Sequence, residues 1–536
     1  VAIDFSSYNP PGVYSNPITG PQLAVNSALP RAVGLVGVTV GYRTYIETIK
    51  IEADTVANTT PAPSANLAKA GIDLATLKVI NLDTGTLYTV GTHYTVVATS
   101  GSVSGSSTAK YFIKRVVPTP ANGISQLQSV RISYQYTDPA YFAPTSFYDY
   151  SDVVAAYGDP YKVNNTDPGY EIQSELTLGA KFAFLNGASS VVCAAVNKAG
   201  EIATSGEYNT ALAQLEDEPT VAVVVPCNGN IPALHSLVKQ HVTKQSESRF
   251  ERRAIIGVDG STSTVPHTQR LIYASGEGVG ILDRRVALVS PSAFVHFSDE
   301  LNKYINLGGQ FMAASLAGMT VKMSFAQPLT HKNITGWTGI SDGDIADYSA
   351  TNSTKSRDSK MSTESNNGLC VIETTRRRAI RVRHGVSTAI QGGLLAREWS
   401  ITGQEDALVY RLRDYLDDAN LIGQPIYNYT LVNVKASAEA ALQSLIRDGL
   451  LVDYTGLAVR QLLTNPDVLE ISFGWKPAFP LNYIVLTFSV SLSSGDINNN
   501  AANANARNVT AATQITTPNI TSINDFGGPS NTLNSV

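Results

Sequence analysis

TVAVVVPCNGNIPALHSLVKQHVTKQSESRFERRAIIGVDG, residues 220–260, carries two apolar runs separated by a helical spacing. Val221–Val225 is an unbroken β-branched and alanine run, the pattern of a strand buried on both faces. Leu234, Leu237, Val238, His241 and Val242 then recur at helical intervals and mark one buried stripe. Arg253–Val258 returns to strand character. A strand, a helix and a second strand within this length form a crossover unit, which requires parallel strands.

The same alternation extends in both directions. Upstream, Ile172, Leu176, Ala180 and Phe184 set a helix over Ile172–Leu185, and Ser189–Val196 reads as a strand. Tyr208, Leu212 and Leu215 mark another helix. Downstream, a helix near 266–275 precedes the strand Arg285–Val289, and Gly309–Met319 is a further helix. Residues 341–366 read as a polar, Ser/Asp/Thr-rich loop. An α/β middle domain with a mostly parallel sheet is therefore expected over 31–40 and 138–368. Residues 41–137 have a different texture, with short Val, Ile, Tyr and Thr runs separated by turns such as Asp83-Thr-Gly85. They predict an inserted antiparallel β domain, a small sandwich or barrel, placed at the periphery.

From Leu369 onward the pattern changes again. Cys370–Glu373 and Ala379–Val382 read as strands around the basic turn Arg376–Arg378. Glu405–Leu416 and Ser437–Arg447 read as helices, the second with Ser437 as N-cap and Gly449 just past its end. Val468–Gly474 and Asn482–Leu492 are expected to form two strands joined through Pro477 and Pro480. The last strand puts Ile484, Leu486, Phe488, Val490 and Leu492 on one face, to be covered by the helices of its own domain. Both ends of the chain look like arms. Residues 1–30 contain five prolines, which disfavour a helix and suit an extended edge strand. Residues 493–536 hold ten Asn and three charges, too little apolar surface to fold alone.

Composition narrows the function. The 536 residues carry 39 Lys plus Arg against 44 Asp plus Glu, a formal charge of −5, and only 15% are charged. Such a chain is large enough for roughly three or four domains and is not built to grip a phosphate backbone. Direct nucleic-acid binding is not expected. No apolar run approaches the ~20 residues needed to span a bilayer, so membrane insertion is not expected either. The opening VAIDFSSYNPPGVY has no basic or apolar leader pattern, which predicts a soluble chain made in the cytoplasm.

A search for chemistry returns little. Cys193, Cys227 and Cys370 are scattered singly and suggest small buried hydrophobes in a reducing compartment. The seven histidines form no metal-ligand spacing, and Gly385-Val-Ser387-Thr-Ala389 lacks the second glycine of a nucleophile elbow. Gly257-Val-Asp-Gly260-Ser follows a strand but lacks the glycines and lysine of a phosphate loop. Asp299-Glu300 and Asp417-Asp418 are adjacent carboxylates expected to be solvated. Arg376–Arg378 with Arg381 and Arg383 suggests an ion-pairing surface for an acidic protein partner. No catalytic, cofactor-binding or metal residue is assigned.

The ends of the chain carry a family resemblance. Tyr8-Asn-Pro10-Pro11-Gly12-Val13-Tyr14 followed by Ala32-Val-Gly34-Leu-Val-Gly37 resembles the start of contractile-tail sheath proteins. Ala314–Gly318, Pro328–Gly336, Asn367–Ile372 with Arg383–Thr388, Glu405-Asp406, Leu421-Ile-Gly423 and Leu481–Val485 continue the resemblance, which covers about 1–40 and 140–492. It implies a non-enzymatic subunit that polymerises as hexameric rings stacked helically around an inner tail tube. The sheath passes from an extended, high-energy state to a shorter one, driving the tube through a cell envelope. It implies an α+β core domain over 369–492 that also takes in the arm 1–30. It further implies partners in neighbouring subunits, the tube protein, the baseplate and the tail terminator, no cofactor, and a place in the virion tail after assembly in the host cytoplasm. Tyr8, Pro10, Pro11, Gly12, Val13 and Tyr14 would then form an arm between subunits, and Ile484, Leu486, Phe488 and Val490 the strand that an arm augments. The insertion 41–137 and the tail after 492 fall outside the minimal sheath pattern. The alternatives are the sheath of a phage-derived bacteriocin or secretion device, and an α/β nucleotide-dependent or hydrolytic enzyme with an appended binding module.

Overall fold

The structure, a computed structural model, describes residues 29–51, 66–98, 110–116, 122–164, 169–198, 202–276, 280–342, 354–375 and 379–487. Two compact units are present. One contains Gly403–Ala478; the other contains Arg31–Thr402 and the chain from Phe479 onward.

The larger unit is organised by an eight-stranded sheet. Its strands are β1 (Ala32–Gly37), β2 (Thr145–Phe147), β3 (Val191–Ala195), β4 (Val221–Pro226), β5 (Arg253–Gly257), β6 (Val286–Ser290), β7 (Leu369–Thr374) and β8 (Ile380–Val382). They lie side by side in the order β8-β7-β6-β5-β4-β1-β3-β2. The six inner strands run parallel, and β2 and β8 close the two edges antiparallel. Every residue of β1, β3, β4, β5 and β6 is buried, because helices cover both faces. One face packs Leu35, Val223 and Ile255 against Leu176, Phe182, Phe311 and Leu316 of the helices Glu175–Leu185 and Gly309–Lys322. The other packs Val36, Val224 and Ile256 against Tyr208, Leu212, Val238, Val242 and Ala274 of the helices Ser205–Gln214, Ala233–Glu247 and His267–Ser275.

Local chemistry starts these helices. The Ser174 side chain accepts from the Thr177 amide, and Thr204 and Glu207 form a reciprocal capping box. Helix Gly309–Lys322 is apolar nearly all round and lies wholly inside, with its first turn against β5. A Cβ on Gly257 would fall 2.0 Å from the Gly309 carbonyl carbon, so this crossing needs glycine on both sides.

The segment between β1 and β2 folds around its own core. Arg43–Lys50, Ser129–Tyr136, Ile72–Asn81 and Leu87–Tyr88 form an antiparallel sheet in that order, beside the hairpin Tyr94–Ala98/Tyr111–Arg115. Val79, Tyr94, Ile113, Val130 and Ile132 share its core. Arg43 pairs with Tyr136, so the chain enters and leaves at one place. A sheet plus a hairpin stands where a sandwich or barrel was expected.

Four further expectations are corrected. Residues 354–366 form a helix where a loop was expected; its inward groups include Met361 and the fully buried Glu364, so no apolar stripe announces it. β7 pairs in parallel with β6 (Leu288 opposite Leu369), so this strand continues the central sheet and the compact units divide at 402/403, away from the expected boundary at 369. The helix expected from Ser437 begins at Asn428, with the Tyr427 amide accepted by the Thr430 hydroxyl. It ends as expected before Gly449, which has φ +69°.

The fourth correction concerns the last strand. Leu469–Lys476 pairs with Asp453–Gln461 and not with the segment that begins at Asn482. Over the described 482–487 the backbone makes no strand pairing, and Ile484 and Leu486 are exposed, 75% and 83%. The apolar face is therefore not covered by its own domain over these residues.

Candidate functional site

The winding of the central sheet reverses at β1, which lies between β3 and β4. In open α/β sheets a ligand crevice forms beyond the carboxyl ends of the strands at such a point. Here side chains fill it. Glu175 Oε2 accepts from the Val38 amide (3.3 Å) and the Tyr208 hydroxyl (2.7 Å), while Oε1 accepts from Asn228 Nδ2 (3.0 Å). Burial pushes the Glu175 carboxyl above the ordinary range despite these donors. Beyond β5, Asp259 accepts from the Ser261 amide and hydroxyl (2.9 and 2.6 Å) and from Gln310 Nε2 (3.0 Å). The glycine-bearing loop 257–261 thus spends its polar groups on its own neighbours. It makes no cradle for a phosphate.

A second polar cluster lies beyond β6. Arg270 is fully buried; its Nη1 donates to Asp342 Oδ2 (2.7 Å) and its Nε to Glu364 Oε1 (3.0 Å). His267 Nδ1 lies 2.9 Å from the same Glu364 oxygen, and Ser290 Oγ donates to Oε2 (2.6 Å). Ser292 gives both its amide and its hydroxyl to Asp342 (2.9 and 2.7 Å). These bonds tie the helices His267–Ser275 and Thr354–Asn366 to the end of β6. They pin the fold.

The remaining sequence candidates resolve as structural groups. Among the described residues no set of three His, Cys, Asp or Glu is placed to hold a metal. Burial lowers His235 to about 4 and His241 to about 3, the latter also beside Arg252. All three cysteines are buried, and burial pushes the Cys370 thiol up to about 12. Glu300 pairs with Lys181 at 2.6 Å and is not simply solvated. Arg381 and Arg383 both pair with Glu373 (2.6 and 3.1 Å) within the chain, so the expected surface for an acidic partner is in part neutralised internally. Arg376–Arg378 lie outside the described residues.

What the structure leaves open is backbone. In the unit Gly403–Ala478, the helix Asn428–Arg447 buries Val434, Ala438, Ala441, Leu442 and Leu445. Asp453–Gln461 and Leu469–Lys476 form a two-stranded sheet with no third strand among the described residues. Two-stranded sheets are marginal, and neither outer edge pairs with another strand among the described residues. Ile422, Val432 and Leu463 are exposed on this unit, as are Tyr427 and Tyr429, whose rings stack at 5.3 Å. In the other unit, Leu481, Tyr483, Ile484, Val485 and Leu486 are exposed in succession. Tyr8, Pro10, Pro11, Gly12, Val13 and Tyr14, with Phe488, Val490 and the tail 493–536, lie outside the described residues. Sequence reasoning missed the strand Asp453–Gln461, although Leu457 and Val459 alternate within it.

No family model matches the chain. A tail sheath protein of Mycobacterium phage Bxz1 is 36% identical across 93% of this chain and 98% of that relative. Among solved structures, the contracted helical sheath of the anti-feeding prophage is similar at 14% identity and TM-score 0.48, over 66% of this chain and 90% of that one. The crystal structure of a sheath tail protein from Desulfitobacterium hafniense gives 12% and 0.43, over 88% and 97%. That of a sheath tail protein from Listeria innocua gives 13% and 0.42, over 85% and 93%.

Proposed function

The chain belongs to the tail sheath protein family, and from that premise we propose that it polymerises into the contractile sheath of a phage tail. The observation that carries this reading is the 36% identity sustained over nearly the full length of both chains. In this reading subunits form hexameric rings stacked around an inner tube, held between a baseplate and a tail terminator. The subunit is a structural component of the virion and not an enzyme.

The physics of the chain suits that task. Subunits repeated head to tail make heterologous contacts, which propagate into helical assemblies. A neighbour's arm can add a strand to an outer edge of the 453–461/469–476 sheet, where backbone hydrogen bonds bind with little side-chain specificity. The proline-bearing segment around Tyr8–Tyr14 and the Asn-rich residues 493–536 are the candidate arms, and the segment of Ile484, Leu486, Phe488 and Val490, exposed at Ile484 and Leu486, is a second candidate strand for an arm to augment. Contraction then requires rigid bodies and stretchable links. The pinned α/β body supplies the first, and strand-swapped arms supply the second. The inserted β domain occupies the outer surface, where an insertion is tolerated. No nucleotide enters this scheme, since the energy is stored in the lattice.

Negative-stain microscopy of the purified full chain tests the reading. Striated tubes are expected. A monodisperse monomer under every condition of salt, concentration and crowding would overturn it.

A further inference from the structure

The sheet of the inserted segment has two faces. Val79, Val130 and Ile132 turn into the segment's own core. Side chains alternate along a strand, so the residues between them point away from that core. On Arg43–Lys50 these are Thr44, Ile46, Thr48 and Lys50, all exposed, and Arg131 and Lys78 are exposed on the two strands beside it. Arg131 lies opposite Thr48 on one side and Ile80 on the other, while Lys78 lies opposite Ser133. Lys50 is two residues from Thr48 and Lys78 two residues from Ile80, so both lysines are diagonal neighbours of Arg131 and within reach of it.

Three cations therefore share one open patch, and among the described residues none of them makes an ion pair. The nearby carboxylates are engaged elsewhere. Glu47 turns inward and accepts from the Tyr134 hydroxyl (2.6 Å). Asp73, opposite Gln135, is on the outer face but beyond a register shift, and accepts from the Ala75 amide (3.0 Å). Like charges gathered on one sheet face work against the isolated fold, and an opposing carboxylate surface relieves them. The sequence divides its charge in the same way. Residues 41–137 hold eight Lys plus Arg against five Asp plus Glu, whereas the rest of the chain holds 31 against 39. On the α/β body, Asp152, Asp217 and Asp299 are exposed and make no ion pair among the described residues.

We propose that the outer face of the inserted sheet docks on the α/β body of a neighbouring copy, with Lys50, Lys78 and Arg131 against its exposed carboxylates. The inference rests on the sheath reading, which brings copies into repeated contact. Charge complementarity selects the occupant, because each chain carries the cations on its insertion and the excess of carboxylates outside it. Ile46 (62% exposed) and Leu87 (56%) lie on the same face and give the contact an apolar part. The insertion is then a tie between subunits and more than a tolerated appendage.

The test uses full chains, half of them isotope-labelled, assembled into tubes and treated with a carbodiimide, which joins an amine to a carboxylate in direct contact. Mass spectrometry should find Lys50 or Lys78 linked to an Asp or Glu outside 41–137 in mixed-isotope pairs. Acetylation of both lysines should slow about tenfold from subunit to tube. Lys78→Glu combined with Arg131→Glu should raise the critical concentration for assembly about tenfold, whereas Lys78→Arg should stay within about threefold of the parent. Thermal melts of each subunit verify folding. If both lysines acetylate equally fast in subunit and tube, the proposal fails while the sheath reading stands. If they are protected but link only to carboxylates of their own copy or of another insertion, the body as occupant is overturned. If they are shielded only when dextran sulfate is added to the tubes, the partner is a polyanion from outside the sheath and the second-copy assignment is overturned. If the parent forms no tubes at all, the sheath reading fails and takes the proposal with it.

Discussion

The α/β body and the unit Gly403–Ala478 solve the same problem in opposite ways. In the body, each inner strand has neighbours on both sides and helices on both faces, and its buried charges meet partners within a few ångströms. In the smaller unit, among the described residues, two strands pair only with each other, and large apolar groups such as Leu463 and Ile422 are exposed. A chain meant to act alone would close its edges. Under the sheath reading, the contrast separates a part finished by its own sequence from a part proposed to be finished by a neighbour.

The comparison can be broken at its strongest point first. Arg270→Ala leaves the buried carboxylates Asp342 and Glu364 without their shared cation, and should cost about 3–5 kcal/mol of body stability. Urea denaturation of the unassembled subunit measures this. A loss under 1 kcal/mol would mean that the cluster does not hold the body together. Gly257→Ala comes next. Its methyl would overlap the start of the helix Gly309–Lys322, so a cost of about 1–3 kcal/mol is expected, read in the same way.

pH offers a graded test of how closed the body is. His235 and His241 are held neutral by burial, at about 4 and about 3, below the ordinary value near 6.5. Between those limits the unfolded chain binds protons that the folded one does not. Stability is therefore full above pH 6.5 and declines as pH falls toward 4, by at most about 1.4 kcal/mol per pH unit for each histidine. His241→Gln should flatten that slope. An unchanged slope would show that the ring is already solvated.

The smallest effect on stability is expected from truncation after Leu492. The subunit should keep its unfolding free energy within about 0.5 kcal/mol, since the tail has few apolar groups to contribute. Long, stable tubes should nevertheless be lost. A truncated chain that polymerises normally would remove the C-terminal arm from the account.

How far the sequence could be read follows from the same contrast. Val221–Pro226 and Arg253–Gly257 were legible because a strand buried on both faces must be apolar throughout. The helix Thr354–Asn366 was not, because a carboxylate, Glu364, anchors it to Arg270 across 94 residues of chain, and no local pattern encodes such a partner. The hairpin Asp453–Gln461/Leu469–Lys476 was half missed for a related reason: a strand with open faces has no reason to alternate strictly. The sequence of Asn482–Leu492 alternates cleanly, yet residues 482–487 make no strand pairing among the described residues. Periodicity announces the capacity to pair and does not say with which chain. The pairing of Arg381 and Arg383 with Glu373 was equally out of reach, since adjacency in sequence suggested a common outward surface.

Hydrogen exchange, compared between isolated subunits and assembled tubes, tests the central contrast most directly. The account predicts that amides of β3, β4 and β5 are equally protected in both states. Those on the outer edges of Asp453–Gln461 and Leu469–Lys476, and in residues 482–487, should exchange fast in the subunit and slow by at least tenfold on assembly. Strong protection of these segments in a verified monomer, or none gained in the tube, would contradict it.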